Sequence, residues 1–282
     1  MTRYRGTPLH AKDVSVRFGG LQALDSVSLE VPNRGIVGLI GPNGAGKTTL
    51  FDAVTGVNDP TSGRILLFGR DVTGWPAHRR ARLGVGRTFQ RLELFGSLTA
   101  LENLIVAVES EFRRGGVFSD LFALPESVET RADAADHAQL VLEKVGLGEY
   151  AHMRAGDLPI GLARMVELGR ALCTFPRLLL LDEISSGLSP EESRGLAVLI
   201  RGLRDDEGKS ILVVEHDMPF VLGLCDYVYV LDFGKLIAEG TPEVIRRDPA
   251  VQAAYLGQES EELQEAEGEA VEETEDAAAP RG

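Results

Sequence analysis

The sequence predicts an α/β fold with a mainly parallel sheet, and three stretches carry that expectation. The first, Gly41-Pro42-Asn43-Gly44-Ala45-Gly46-Lys47-Thr48, fits G-x-x-x-x-G-K-[ST] and lies between strand-like and helix-like segments. The second, Leu178-Leu179-Leu180-Leu181-Asp182-Glu183, is four leucines without alternation and then two carboxylates. Such a run suits a strand covered on both faces, as in a parallel sheet. The third is the alternation over residues 9–31: Val14, Val16 and Phe18, then Val27, Leu29 and Val31. Its period of two predicts half-buried antiparallel strands, a layer of their own ahead of the parallel sheet.

Taken in order, Gly19-Gly20 marks the turn between those first strands. Phe18, at the end of the first one, either packs under the hairpin or reaches out to stack on a base. Residues 35–40 (Gly-Ile-Val-Gly-Leu-Ile) read as a buried strand running into the glycine loop. Backbone N–H groups can wrap a phosphate chain only where no Cβ intrudes, which is why the loop needs glycine. Lys47 can reach the β- and γ-phosphates as a point charge, and the Thr48 hydroxyl can hold Mg²⁺. From Thr49 to Thr55 a short helix is expected, closed by Gly56, with its positive N-terminal end toward the phosphates. The loop is therefore a nucleoside-triphosphate site. Residues 63–69 add a further strand.

Val85 to Gln90 introduces a helical region. Thr99-Ala100-Leu101-Glu102 has the spacing of a capping box and opens a helix with Leu101, Leu104, Ile105 and Val108 on its apolar side. Residues 110–127, broken by Gly115-Gly116 and Pro125, are expected to be partly loose, and a second helix over about 128–145 stops at Gly146. A helix from Arg164 to Thr174 precedes the leucine strand. Asp182 and Glu183 then stand at the strand's C-terminal end, where parallel sheets place ligands. Asp182 can hold Mg²⁺ through water, and Glu183 can orient or deprotonate an attacking water. Ser189-Pro190-Glu191-Glu192 is a second capping box, whose helix presents Leu196, Leu199, Ile200 and Leu203. The strand Ser210–Glu215 ends at His216-Asp217. His216 is either a structural cap or, at the same sheet edge as Asp182, a γ-phosphate contact. Residues 226–240 read as a hairpin around Phe233-Gly234-Lys235.

Composition bounds the function. The chain has 282 residues and a net charge of −14, of which residues 259–282 carry −9 through ten acidic residues and one Arg. The body is only mildly acidic, which argues against the basic face that nucleic-acid binding needs. After Leu256-Gly257 the composition collapses to Glu, Ala and Gln, and residues 258–282 are expected to form an acidic disordered tail. No apolar run approaches the ~18 residues that span a bilayer, and the N-terminus has no signal-peptide pattern. Work at a membrane therefore requires docking onto another chain. Cys173 and Cys225 read as small buried side chains in a reducing compartment.

The ordered set of motifs resembles the ATP-binding-cassette (ABC) ATPases. It comprises the phosphate loop, Gln90, a signature region Leu158-Pro159-Ile160-Gly161-Leu162, the Leu178–Glu183 strand, Ser186-Gly187-Leu188-Ser189 and His216. The likeness covers roughly residues 9–257. Within the family it is similar to the subunits of branched-chain amino acid importers, through Val16-Arg17-Phe18-Gly19-Gly20-Leu21, Arg87-Thr88-Phe89-Gln90, the 110–127 insert, Glu215-His216-Asp217-Met218 and Ala254-Tyr255-Leu256-Gly257. The resemblance implies a phosphate-loop NTPase core over residues 1–257, an N-terminal antiparallel β subdomain, and a helical subdomain inserted at about 91–160.

It also implies a role for each motif. Phe18 would stack on the adenine, and Gly41 to Thr49 would cradle the phosphates of ATP. Thr48, Gln90 and Asp182 would form the Mg²⁺ shell, Glu183 would be the base, and Gln90 and His216 would complete the catalytic set. Pro159 and Gly161 would face the ATP of a second cassette. Implied partners are that second cassette, as a heterodimer, two transmembrane permease subunits gripped through a groove near Gln90, and an extracytoplasmic binding protein. No nucleic acid is implied, and the place of work is the cytoplasmic face of the membrane. Three departures stand out: Pro159 and Leu162 replace the usual signature Ser and Gln, Ile184 replaces a Pro, and Ser189 replaces an Asp. Competing readings are an importer for other small amides such as urea, a soluble cassette acting on nucleic acid, and a non-hydrolysing nucleotide sensor.

Overall fold

The computed structural model describes residues 7–112 and 125–255. Among the described residues, ten strands fall into two sheets. A four-stranded antiparallel sheet has the order β2-β1-β4-β5, formed by Leu21–Val31, Leu9–Phe18, Ser62–Leu67 and Arg70–Asp71. A six-stranded sheet has the order β10-β9-β3-β8-β7-β6, formed by Lys235–Gly240, Tyr227–Asp232, Ile36–Ile40, Ser210–Val214, Leu178–Asp182 and Val85–Arg87. Its members are parallel except for β10, which returns antiparallel on β9 as a hairpin.

The leucine run explains the layering. In β7, Leu179 and Leu181 point into a core shared with the helices, while Leu178 and Leu180 point into a second core with the antiparallel sheet. Each strand of the parallel core divides its side chains the same way: Ile211 and Val213 against Leu212 and Val214, Ile36 and Ile40 against Val37 and Leu39. Both faces are thus covered, so the run needs no polar alternation.

The helices are α1 (Lys47–Thr55), α2 (Ala77–Ala81), α3 (Ala100–Phe112), α4 (Pro125–Lys144), α5 (Ile160–Leu172), α6 (Pro190–Asp205), α7 (Met218–Leu224) and α8 (Pro242–Ile245). Both capping boxes are present. The Thr99 N–H donates to Glu102 Oε2 at 2.8 Å, and Ser189 and Glu192 exchange the reciprocal pair at α6. Because α3 extends to Phe112 and α4 begins at Pro125, the punctuated stretch narrows to 113–124. That stretch and the acidic tail lie outside the described residues.

Three boundaries differ from the sequence expectation. Helix α5 starts at Ile160, four residues before Arg164, because Pro159 supplies a fixed φ and accepts the Ala163 N–H at its carbonyl (3.0 Å). Strand β7 ends at Asp182, and Glu183 turns away with φ +47. Strand β8 ends at Val214, so Glu215 lies in the following turn. Val85–Arg87, expected only to lead into helices, is the edge strand β6, and α2 was not foreseen. Cys173 and Cys225 are buried free thiols, and burial pushes the Cys173 thiol up to about 12.

Candidate nucleotide site

The glycine loop joins β3 to α1 at the C-terminal edge of the parallel sheet. Two glycines are required by contact. A Cβ on Gly41 would lie 2.0 Å from the Leu231 carbonyl oxygen, and Gly46, at φ +104, would meet the Ala23 carbonyl oxygen at 2.7 Å. Gly46 is also the N-cap of α1 and offers no side chain to it, so the first N–H groups of that helix have no side-chain cap. Pro42, Asn43, Gly44 and Ala45 shape the turn, with the Ala45 N–H donating to the Pro42 carbonyl at 3.2 Å. Lys47 folds back over the loop and donates to the carbonyls of Gly41 (2.7 Å) and Pro42 (2.8 Å). Burial lowers its pKa, and the nearby carboxylates of Glu183 and Asp182 oppose that shift. A buried ammonium, glycines at a close approach and an uncapped helix start together fit a polyphosphate anion.

The strand-end carboxylates face this loop. Asp182 is 1% exposed; Arg87 donates to its Oδ2 at 3.0 Å and to Asp52 Oδ1, on α1, at 2.6 Å. Burial raises the pKa of Asp182, with the Arg87 pairing pulling the other way. Arg87 therefore bolts the phosphate-loop helix to the end of β7. The Gln90 amide donates to Glu183 Oε2 at 2.9 Å. Thr48 is exposed, Thr49 half-buried, and His216 exposed on the turn after β8. These oxygen and amide donors, with one buried carboxylate, are the hard ligand set that suits Mg²⁺.

The segment after β6 and helix α5 are also coupled. Arg164, on α5, donates to the carbonyls of Phe89 (3.1 Å) and Gln90 (2.8 Å), and Glu167 accepts the Phe89 N–H at 2.9 Å. Phe18 lies at the end of β1 and is half exposed, with Leu21 across the Gly19-Gly20 turn. Pro159 is exposed at the start of α5 and provides no side-chain cap. Gly161 is buried; a Cβ there would lie 2.9 Å from Glu192 Oε1. The structure thus gathers Gly41 to Thr49, Asp182, Glu183 and Gln90 at one edge, while Pro159 and Gly161 stand at the start of α5. Beside Gln90 a groove of ≈ 430 Å³ is lined by Val57, Phe89, Phe95, Val106 and Arg170, among others.

Sequence reasoning missed Arg87, Arg164, Glu167 and Glu215. Arg164 and Glu167 had a signal, an opposite-charge pair at i,i+3 inside an apolar helix. Arg87 and Glu215 stand in stretches that carry the family likeness, but no role was assigned to either, since their partners are far away in the chain.

The chain is similar in sequence and fold to known proteins. A family model described as "ABC transporter" matches residues 24–186, and one described as "Branched-chain amino acid ATP-binding cassette transporter" matches residues 235–261. The high-affinity branched-chain amino acid transport ATP-binding protein LivG of Salmonella typhimurium is 45% identical over 250 residues, covering 89% of this chain and 98% of LivG. BraF of Pseudomonas aeruginosa, of the same description, is 42% identical over the same shares. Among solved structures, the ADP conformation of MJ1267, an ATP-binding cassette of an ABC transporter, matches with a TM-score of 0.76 and 30% identity over 89% of this chain and 99% of that one.

Proposed function

The chain belongs to the ABC transporter family, whose cassettes hydrolyse ATP to power transport, and on that premise we propose that it drives an importer for branched-chain amino acids. The chain binds nucleotide and works with permease components at a membrane; no helix among the described residues is long and apolar enough to cross one. The cargo reading rests on the likeness to LivG and BraF and on the second family match at 235–261. The observation that carries the site is the convergence of Lys47, Asp182 and Glu183 from two chain regions at one sheet edge.

In this reading Phe18 stacks on the adenine, and the N–H groups of Gly41 to Thr49 with Lys47 hold the phosphates. Thr48, Gln90 and Asp182 hold Mg²⁺, which neutralises charge on the phosphates when bound. Arg87, paired with Asp182 Oδ2, would hold that carboxylate in place for the ion. Glu183 takes the proton of the attacking water, and Gln90 keeps its carboxylate aimed. His216 contacts the γ-phosphate. Hydrolysis thus depends on charge placed in advance where charge develops. Residues 1–257 form the cassette, with 91–160 as its helical part. Pro159 and Gly161 serve the ATP of a second, different cassette. The groove beside Gln90 receives a permease helix on the cytoplasmic face, and an extracytoplasmic binding protein delivers cargo to that permease.

The test is reconstitution of this chain with its permease, second cassette and binding protein in vesicles. ATP-driven uptake of labelled leucine, with urea and neutral amides not accumulated, is the expected result. Uptake of urea but not leucine would contradict the cargo reading while leaving the ATPase in place.

A further inference from the structure

The turn carrying Glu183 is held in place from the neighbouring strand. Glu183 adopts φ +47, a conformation a residue with a side chain keeps only when its surroundings impose it. The next residue, Ile184, has no ring to fix its backbone. Two hydrogen bonds supply the constraint instead. The Glu183 N–H donates to the Val214 carbonyl at 2.9 Å, and the Ser185 N–H donates to Glu215 Oε1 at 2.7 Å.

Glu215 is a costly residue for that task. Its side chain is 0% exposed, and Oε2 has no hydrogen-bond partner among the described residues. A buried carboxylate with one oxygen unsatisfied loses the hydration of that oxygen without replacement. The groups around it are the Ser185 hydroxyl, His216 and the like-charged Glu183. Packing alone would be served better by an apolar side chain of the same size. What an apolar residue cannot do is accept the Ser185 N–H, and that N–H lies two residues past the base.

We propose that Glu215 is a positioning residue for ATP hydrolysis, its carboxyl latching the Glu183–Ser185 turn to the end of β8. Glu183 and His216 sit on the two turns so joined, and the latch fixes their spacing. Without it the left-handed turn relaxes and the base leaves the geometry that proton transfer needs. The nucleotide still binds, because the phosphate loop and Lys47 do not touch Glu215. The inference rests on Glu183 as the base.

The experiment measures ATP turnover against ATP concentration in the assembled transporter for the parent, Glu215→Gln, Glu215→Met and Glu183→Gln. Glu215→Gln keeps an acceptor for the Ser185 N–H and stays within about three-fold of the parent. Glu215→Met fills the same space but lowers kcat at least about ten-fold, with KM for ATP within about two-fold. Should Glu215→Met fail to fold, Ser185→Pro removes the same N–H and gives the same kcat loss. Parent-rate turnover by Glu215→Met, equal damage from Gln and Met, or a parallel loss of ATP affinity would each overturn the latch. Parent-rate turnover by Glu183→Gln would overturn the base assignment, and the inference with it, whatever Glu215→Met does.

Discussion

At the scale of single residues, the candidate site sets one buried cation, without a carboxylate partner among the described residues, near another that is paired with two. Lys47 holds no carboxylate directly but donates to two loop carbonyls, so its charge is available to an incoming phosphate. Lys47→Ala removes charge-assisted bonds worth about 1.5–3 kcal/mol, which is roughly a ten- to hundred-fold loss of ATP affinity. Equilibrium titration with a fluorescent ATP analogue checks this, and an unchanged Kd would rule it out. Arg87 is the opposite case, a cation already engaged by Asp52 and Asp182. Arg87→Leu leaves the Asp182 carboxylate buried and unpaired, at a cost of about 3–5 kcal/mol in urea unfolding. Lys47 and Asp182 could be found in the sequence because their roles impose a local pattern, a glycine loop or an apolar strand. Arg87 and Glu215 stood in motifs the sequence offered, but their contacts were not legible, because each acts on a residue that is near only after the sheet has formed.

At the scale of elements, legibility followed the range of the interaction. Both capping boxes were readable because Thr99 with Glu102 and Ser189 with Glu192 satisfy helix starts within four residues. Ser189→Ala should cost about 1 kcal/mol, or about 2 °C in Tm for a domain of this size. Hydrogen bonds from the Thr99 and Ser189 backbone N–H groups, then from their hydroxyls, hold Glu102 and Glu192 below the ordinary carboxylate value of 4.5. Their folded pKa values being depressed, the contribution is full above that value and fades as pH falls through the depressed range. The Tm gap between parent and Ser189→Ala should therefore shrink in acid, and a gap constant from neutral to acid pH would contradict the assignment. The start of α5 was misplaced by four residues because Pro159 carries no capping side chain to announce it. The edge strand β6 is only three residues long, and its pairing partner β7 begins 93 residues after it in the chain.

At the scale of the whole molecule, the proposed pairing with a second cassette would make the chain half of two sites. Lys47, Asp182 and Glu183 lie at the sheet edge and Pro159 and Gly161 at the start of α5, and in the proposed pairing each group would complete its site against a second cassette. Proline offers no hydroxyl and no N–H to a phosphate. A lost hydrogen bond to a charged group is worth about 1.5–3 kcal/mol, part of which the α5 helix start recovers. The site built on Pro159 should therefore be the slower one, and Pro159→Ser should raise turnover. No gain from Pro159→Ser would make the proline a neutral helix start. The most direct measurement compares ATP turnover and ATP binding for the parent and Glu183→Gln in the reconstituted transporter. If Glu183 of this chain is the base, turnover falls by at least about 100-fold while ATP still binds. Turnover at the parent rate would place the base elsewhere and contradict the assignment.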